Sequence, residues 1–217
     1  MLKRSFIPSN FTRLFFSQLL ATGLLIFAVT SCACTDNRKP EAEKKDNNNK
    51  EVAALGALNA TKTPIQEAIA EVKSFKGDQV KGKVTFTKVP GGVKVIADIE
   101  GLAPGKHGFH VHEFGDCSGD GSATGSHFNP AHNRHGGPDN PDRHVGDLGN
   151  LDADENGHAH YERVDKIIAL EGKNSILGRS IVIHADRDDF TTQPTGASGV
   201  KIACGVIEAV PEKDMKR

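Results

Sequence analysis

Val84-Thr85-Phe86-Thr87-Lys88-Val89-Pro90-Gly91-Gly92-Val93-Lys94-Val95-Ile96-Ala97-Asp98-Ile99 reads as two β-strands and the turn that joins them. Val84 and Phe86 alternate with Thr and Lys. Val93, Val95, Ala97 and Ile99 alternate with Lys94, Ile96 and Asp98. A repeat of two places one set of side chains on a buried face and the other in water. Pro90-Gly91-Gly92 between the runs marks a hairpin turn. Further along, Ile181-Val182-Ile183-His184 and Ile202 to Ile207 read as two more short strands. Ile65 to Phe75 is ambiguous: Ile65, Ile69 and Val72 sit at helical spacing, whereas Val72 to Phe75 suits the start of a strand. Short strands, frequent turns and 23 glycines predict an antiparallel sandwich or barrel.

The 217 residues allow one domain of about 150 residues with extra segments beside it. The net charge of −1 offers no basic footprint, so nucleic acid is not expected as a partner. The first 31 residues read as a targeting segment. Lys3, Arg4 and Arg13 are its basic part, and Leu19 to Val29 is an apolar run too short for a comfortable membrane span. Val29-Thr30-Ser31-Cys32 resembles a bacterial lipobox, which makes Cys32 the expected lipidated first residue of an exported, membrane-anchored protein. Residues 32–63 follow as a polar tether with Lys39, Glu41, Glu43 and Asn47-Asn48-Asn49. Such a stretch buries too little apolar surface to offset its chain entropy. The folded domain is expected over residues 64–217. Export favours disulfides, and Cys117 and Cys204 could pair within that domain. Cys34 is left as a free thiol in the tether.

Between Glu113 and Gly149 the alternation stops, and Gly, Pro, Asn, Asp and His take over. A loop of that length is normally functional or disordered. His127, His135, His144 and Asp147 lie inside it, an N3O set suited to tetrahedral zinc. His110-Val111-His112 precedes it, and on a strand both imidazoles face the same side. His184 ends the apolar run Ile181 to Ile183. Seven candidate ligands are too many for one four-ligand metal and one too few for two separate ones. Two metals sharing one ligand fit the number.

These residues carry a resemblance. Gly108-Phe109-His110-Val111-His112-Glu113-Phe114-Gly115-Asp116, His127-Phe128-Asn129-Pro130, His135-Gly136-Gly137-Pro138, His144-Val145-Gly146-Asp147-Leu148-Gly149-Asn150 and Ala203-Cys204-Gly205-Val206-Ile207 resemble copper/zinc superoxide dismutases over about Val72 to Glu208. The resemblance implies an eight-stranded Greek-key β-barrel with long metal-binding and electrostatic loops. It implies copper on His110, His112, His127 and His184, and zinc on His127, His135, His144 and Asp147. His127 becomes a bridging imidazolate, which two cations make possible. Asp188 matches an aspartate that orients one copper and one zinc histidine, here His110 and His135. His107 is given a structural role, and His132, His158 and His160 match no ligand.

The implied reaction is the dismutation of superoxide to dioxygen and hydrogen peroxide, with His127 and Lys201 as the catalytic pair. Lys201 departs from the family. It stands where an arginine gives the anion a charge and a planar donor fork, and lysine keeps only the charge. Cys117 also stands earlier in its loop than in the animal enzymes, though pairing with Cys204 is still implied. The partners expected are superoxide, a membrane through Cys32, and a possible homodimer. The alternative is a non-catalytic copper- and zinc-binding lipoprotein of the same fold.

Overall fold

The computed structural model describes residues 63–77 and 79–214. The expected targeting segment, Cys32, Cys34 and nearly all of the expected tether lie outside the described residues. Nine strands follow in order: β1 (Glu67–Ser74), β2 (Lys81–Val89), β3 (Gly92–Glu100), β4 (Gly105–His112), β5 (Asp147–Ala153), β6 (Ala159–Asp165), β7 (Ser180–His184), β8 (Lys201–Val206) and β9 (Glu208–Ala209). Among the described residues, helix is confined to two three-residue 3-10 turns, Ser122–Thr124 and Glu212–Asp214.

The hydrogen-bonded order is β5-β4-β7-β8-β1-β2-β3-β6, all antiparallel, with β9 on β1. The crossing from β3 to β4, and the return from β5 to β6, give the Greek-key path that the resemblance implied. β5 and β6 lie side by side at the seam, where the Tyr161 hydroxyl donates to Leu148 O at 2.9 Å. The barrel is therefore nearly closed. β9 is a two-residue continuation of β8. At Ile207 the ladder shifts, because its N–H donates to Arg179 O and its carbonyl accepts from Gly178 N.

The β2–β3 hairpin pairs Val89 with Gly92 across the predicted turn. Val84, Phe86, Val93, Val95, Ala97 and Ile99 all point into the core. The ambiguous segment resolves as strand β1. Its inward positions are Ala68, Ala70 and Val72, and Ile69 faces outward, half-buried. The helical spacing of Ile65, Ile69 and Val72 was misleading because pairing with β2 decides the period. β5 and β6 lack a strand pattern in the sequence. β6 carries His160, Glu162 and the exposed Val164 on its outer face and the half-buried Tyr161 and Arg163 between them, and so shows little apolar alternation.

The Cys117–Cys204 disulfide is present, with Cα atoms 5.7 Å apart and a sequence separation of 87. Closing a loop of that size contributes roughly 4–5 kcal/mol in the chain-entropy model, an upper figure. It also ties the start of the long loop to β8.

Candidate metal centre

β4 carries the first two imidazoles. Phe109 and Val111 enter the core, so His110 and His112 point outward. β7 runs beside β4 with Val182 opposite His110. Ile181 and Ile183 turn inward, and His184 faces the same outer side as the β4 pair. Exterior positions on a barrel are normally wet, yet His110, His112 and His184 are 0–3% exposed. The loops cover them. The long loop folds back so that Phe128 N donates to Val111 O and Gly146 N donates to Phe128 O. A Cβ on Gly146 would overlap the Val111 carbonyl, so this close return needs glycine. The return sets His127 opposite His112.

Two groups result among the described residues. His110, His112, His127 and His184 form one, and His127, His135, His144 and Asp147 form the other. Within each group the candidate ligand atoms all lie within 4.8 Å of one another, and every member is buried. Sequence distances of up to 74 residues collapse to contact, and His127 stands in both groups.

Outer hydrogen bonds decide which nitrogen of each ring is free to bind a cation. His110 donates from Nε2 to Asp188 Oδ2 at 2.8 Å, leaving Nδ1. His112 donates from Nδ1 to Gly125 O at 3.0 Å, and His184 from Nδ1 to Gly199 O at 3.2 Å. Their Nε2 atoms then face each other at 3.3 Å as two lone pairs. His135 donates from Nε2 to Asp188 Oδ1 at 2.9 Å, which leaves Nδ1 against Asp147 Oδ2 at 3.1 Å. His144 Nδ1 stands 3.2 Å from Asp147 Oδ1. Nδ1 of His110, His135 and His144 and Nε2 of His127 are buried without a hydrogen-bond partner among the described residues. Buried polar atoms are rarely left so. Crowded lone pairs are repulsive without a cation between them. The spacing also fits: a tetrahedron with bonds of about 2.0–2.1 Å has edges of about 3.3 Å. The residues present therefore suit two metal ions.

Electrostatics agree. Burial pushes the imidazoles of His110, His112 and His127 below their ordinary value, and that of His184 down to about 4. They are held neutral, the form a metal binds. His135 differs: burial opposes its charge, but the carboxylates of Asp147 and Asp188 on either side of the ring raise it to about 9. Burial works against ionisation of Asp147 and Asp188. The histidines around them nevertheless hold both carboxyls well below the usual range.

Several supporting residues were not identified from sequence. Asn150 donates from Nδ2 to Asp188 O and accepts from Asp188 N, so one amide fixes that residue's main chain. Arg143 is buried in an ion pair with Asp165 and donates to the carbonyls of His144 and Val145. Asp165 in turn accepts from Ile167 N and Ile168 N. No spacing rule links these positions; Asn150 did stand within a recognised motif, but without a role. His107 lies between two backbone carbonyls, with Nδ1 2.9 Å from His184 O and Nε2 2.8 Å from Ala103 O, so a ring N–H donates there and packs the loop against the end of β7. His132, His158 and His160 lie on the surface, the last paired with Asp98.

Lys201 lies beside the first group, with its ammonium turned into the loop. Nζ donates to Gly121 O at 3.0 Å, Thr124 Oγ1 at 2.8 Å and Gly125 O at 2.8 Å. An ammonium has three hydrogens, and all three are engaged.

Residues 80–207 match the family described as copper/zinc superoxide dismutase (SODC). A superoxide dismutase [Cu-Zn] of Paramecium bursaria Chlorella virus 1 is 46% identical over 158 residues, covering 70% of this chain and 81% of the relative. An extracellular superoxide dismutase [Cu-Zn] of Brugia pahangi is 40% identical over 159 residues, covering 69% and 79%. The crystal structure of the clock protein EA4 superposes with a TM-score of 0.64 at 45% identity, over 68% of this chain and 97% of that one. The barrel, the two ligand groups joined at His127 and these relatives agree: the chain belongs to the copper/zinc superoxide dismutase family.

Proposed function

We propose that the chain dismutates superoxide, with copper on His110, His112, His127 and His184 and zinc on His127, His135, His144 and Asp147. Two superoxide anions and two protons give dioxygen and hydrogen peroxide. The observation that carries this reading is the double membership of His127, whose Nδ1 lies 2.7 Å from Asp147 Oδ1 while its Nε2 is buried without a hydrogen-bond partner among the described residues. Copper held by His110, His112, His127 and His184 would supply the one-electron couple that the two half-reactions share, whereas zinc would supply no redox chemistry. Asp188 sets the rings of His110 and His135 together, so it orients one ligand of each group. Nε2 of His127 is the atom assigned to hold a proton taken from solvent and pass it to the forming peroxide. Lys201 supplies positive charge near His112. With its three hydrogens engaged by the loop, it acts on the anion through potential rather than by direct donation.

Metal-loaded protein should remove superoxide in a stopped-flow assay, lose activity when copper is withdrawn, and be inhibited by cyanide. Protein that held both metals yet left superoxide untouched would sink the reading in favour of a non-catalytic metal carrier. The names of the curated relatives argue against that carrier.

Export is supported by the Cys117–Cys204 bond, since disulfides persist in oxidising compartments. The finer proposal is a bacterial lipoprotein held to the membrane by a lipid on Cys32, with residues 1–31 removed. Cys32→Ala should move the protein from the membrane to the soluble fraction. A homodimer belongs to the same proposal, and sedimentation would test it.

A further inference from the structure

The loop between β7 and β8 reaches His135 from several directions. Asp188 accepts from its ring at 2.9 Å. Gly196 packs over that bond so closely that a Cβ there would overlap Asp188 Oδ1 and come within 2.6 Å of His135 Nε2. The Phe190 ring lies against Gly137, two residues on from His135. Gln193 closes the set. Its Oε1 accepts from His135 N at 2.9 Å, and its Nε2 donates to His135 O at 3.0 Å. Nε2 also donates to Thr191 O at 3.2 Å, which ties the amide back to its own loop. One side-chain amide thus occupies both main-chain polar groups of a single candidate ligand, as a neighbouring strand would.

We infer that Gln193 is a positioning residue for the second metal group, locking the peptide of His135 so that its Nδ1 stays aimed at the ion. This rests on the reading of His127, His135, His144 and Asp147 as the zinc ligands. Two contacts define a ring's placement. Asp188 sets the rotation about the side chain through Nε2, but leaves the backbone that carries the ring free to shift. Gln193 removes that freedom. Asn150 does the same for Asp188, donating to its carbonyl and accepting from its N–H. The two amides therefore anchor the two ends of the Asp188–His135 hydrogen bond, one from β5 and one from the loop itself. In the first metal group the Gly125 and Gly199 carbonyls hold His112 and His184, and only His110 shares the Asp188 carboxylate. Loss of Gln193 should consequently weaken zinc and spare copper.

Gln193→Ala removes both bonds, Gln193→Glu keeps an acceptor for His135 N but loses the donor to His135 O, and exposed Thr191→Ala serves as a control. Zinc release from fully loaded protein to a chromophoric chelator should quicken about five- to tenfold in Gln193→Ala, by less in Gln193→Glu and not in Thr191→Ala. Copper release should stay within about twofold of the wild type. Cobalt(II) in the zinc group should show altered visible absorption bands in Gln193→Ala, a change that simple loop loosening elsewhere would not make. In metal-free protein, the amide of His135 should exchange its hydrogen faster in that variant. The proposal fails if wild-type protein holds zinc and Gln193→Ala releases it at the wild-type rate. It fails equally if zinc and copper release quicken together, which would mark a general structural role. Wild-type protein that takes up no zinc would instead overturn the zinc reading itself, and the inference with it.

Discussion

The two sides of the barrel are built from the same ladder but bury it differently. Along β1, β2 and β3 one face packs into the core and the other meets water, so Val84 and Phe86 alternate with half-exposed Thr85 and Thr87. Along β4 and β7 both faces are covered: residues 107–112 and 180–184 are buried without a break. The inward set, Phe109, Val111, Ile181 and Ile183, is ordinary core. The outward set is His110, His112, Val182 and His184, roofed by the loops before β5 and before β8. Both ladders shift register where they serve the site, between Gly108 and His110 and between Ile183 and His184. The difference teaches that the metal side is a barrel exterior made into an interior. Its cover comes from loops over polar ligands, whereas the hairpin side rests on an apolar core beneath a wet outer face.

That contrast can be broken most severely at His127. His127→Ala removes a ligand from both groups, so superoxide removal should fall by more than about 1,000-fold and both metals should bind below one per chain. The β-sheet circular dichroism should persist, since the hairpin side holds no ligand. The opposite insult is Phe86→Ala. Deleting this fully buried ring should destabilise the fold by about 3–5 kcal/mol in urea unfolding while metal content stays at two per chain. A loss of both in either variant would mean that the two sides are one cooperative unit.

Asp188→Ala should come next, with metal affinity lower by about 10- to 100-fold. Equilibrium dialysis should find both ions affected, because one carboxylate orients a ring in each group.

Acid should sharpen the comparison in metal-free protein. His110, His112, His127 and His184 have folded values below about 6.5, the last near 4, so the unfolded chain binds more protons between pH 6.5 and 4. Their contribution to stability is complete above about pH 6.5 and is lost as the pH falls, at up to about 1.4 kcal/mol per unit per group. His135 has the opposite sign: raised to about 9, it stabilises fully below about 6.5 and loses that contribution as the pH climbs through 9. Four groups outweigh one. The urea midpoint of metal-free protein should therefore fall steeply on acidification from pH 6.5, and a flat profile would contradict the burial of neutral imidazoles. The smallest effect is expected from Lys201→Met. Activity should drop by roughly tenfold at low ionic strength, and the deficit should shrink as salt screens the charge.

Much of this was legible in the sequence because its signals are local. The hairpin of β2 and β3 follows from a repeat of two and a Pro-Gly-Gly turn. The ligand types follow from the motifs around His110, His127, His135 and His144. β6 escaped because a strand at the barrel seam carries polar outer residues and a Tyr161 whose hydroxyl bonds across to β5. β1 was ambiguous because helical and strand spacing coincide over a few residues, and only pairing with β2 separates them.

The sequence by itself determined the chemistry: six imidazoles and one carboxylate are a metal-binding inventory whatever the fold, because ligand preference belongs to the side chain. Tertiary structure decided the rest. It chose the ring nitrogen each histidine turns inward, through carbonyls and carboxylates as far as 78 positions away. It showed the Lys201 ammonium bound into the loop, and it brought the amides of Asn150 and Gln193 onto the main chains of Asp188 and His135. Hydrogen-bond direction depends on where two backbones meet, and a one-dimensional pattern holds no record of that meeting.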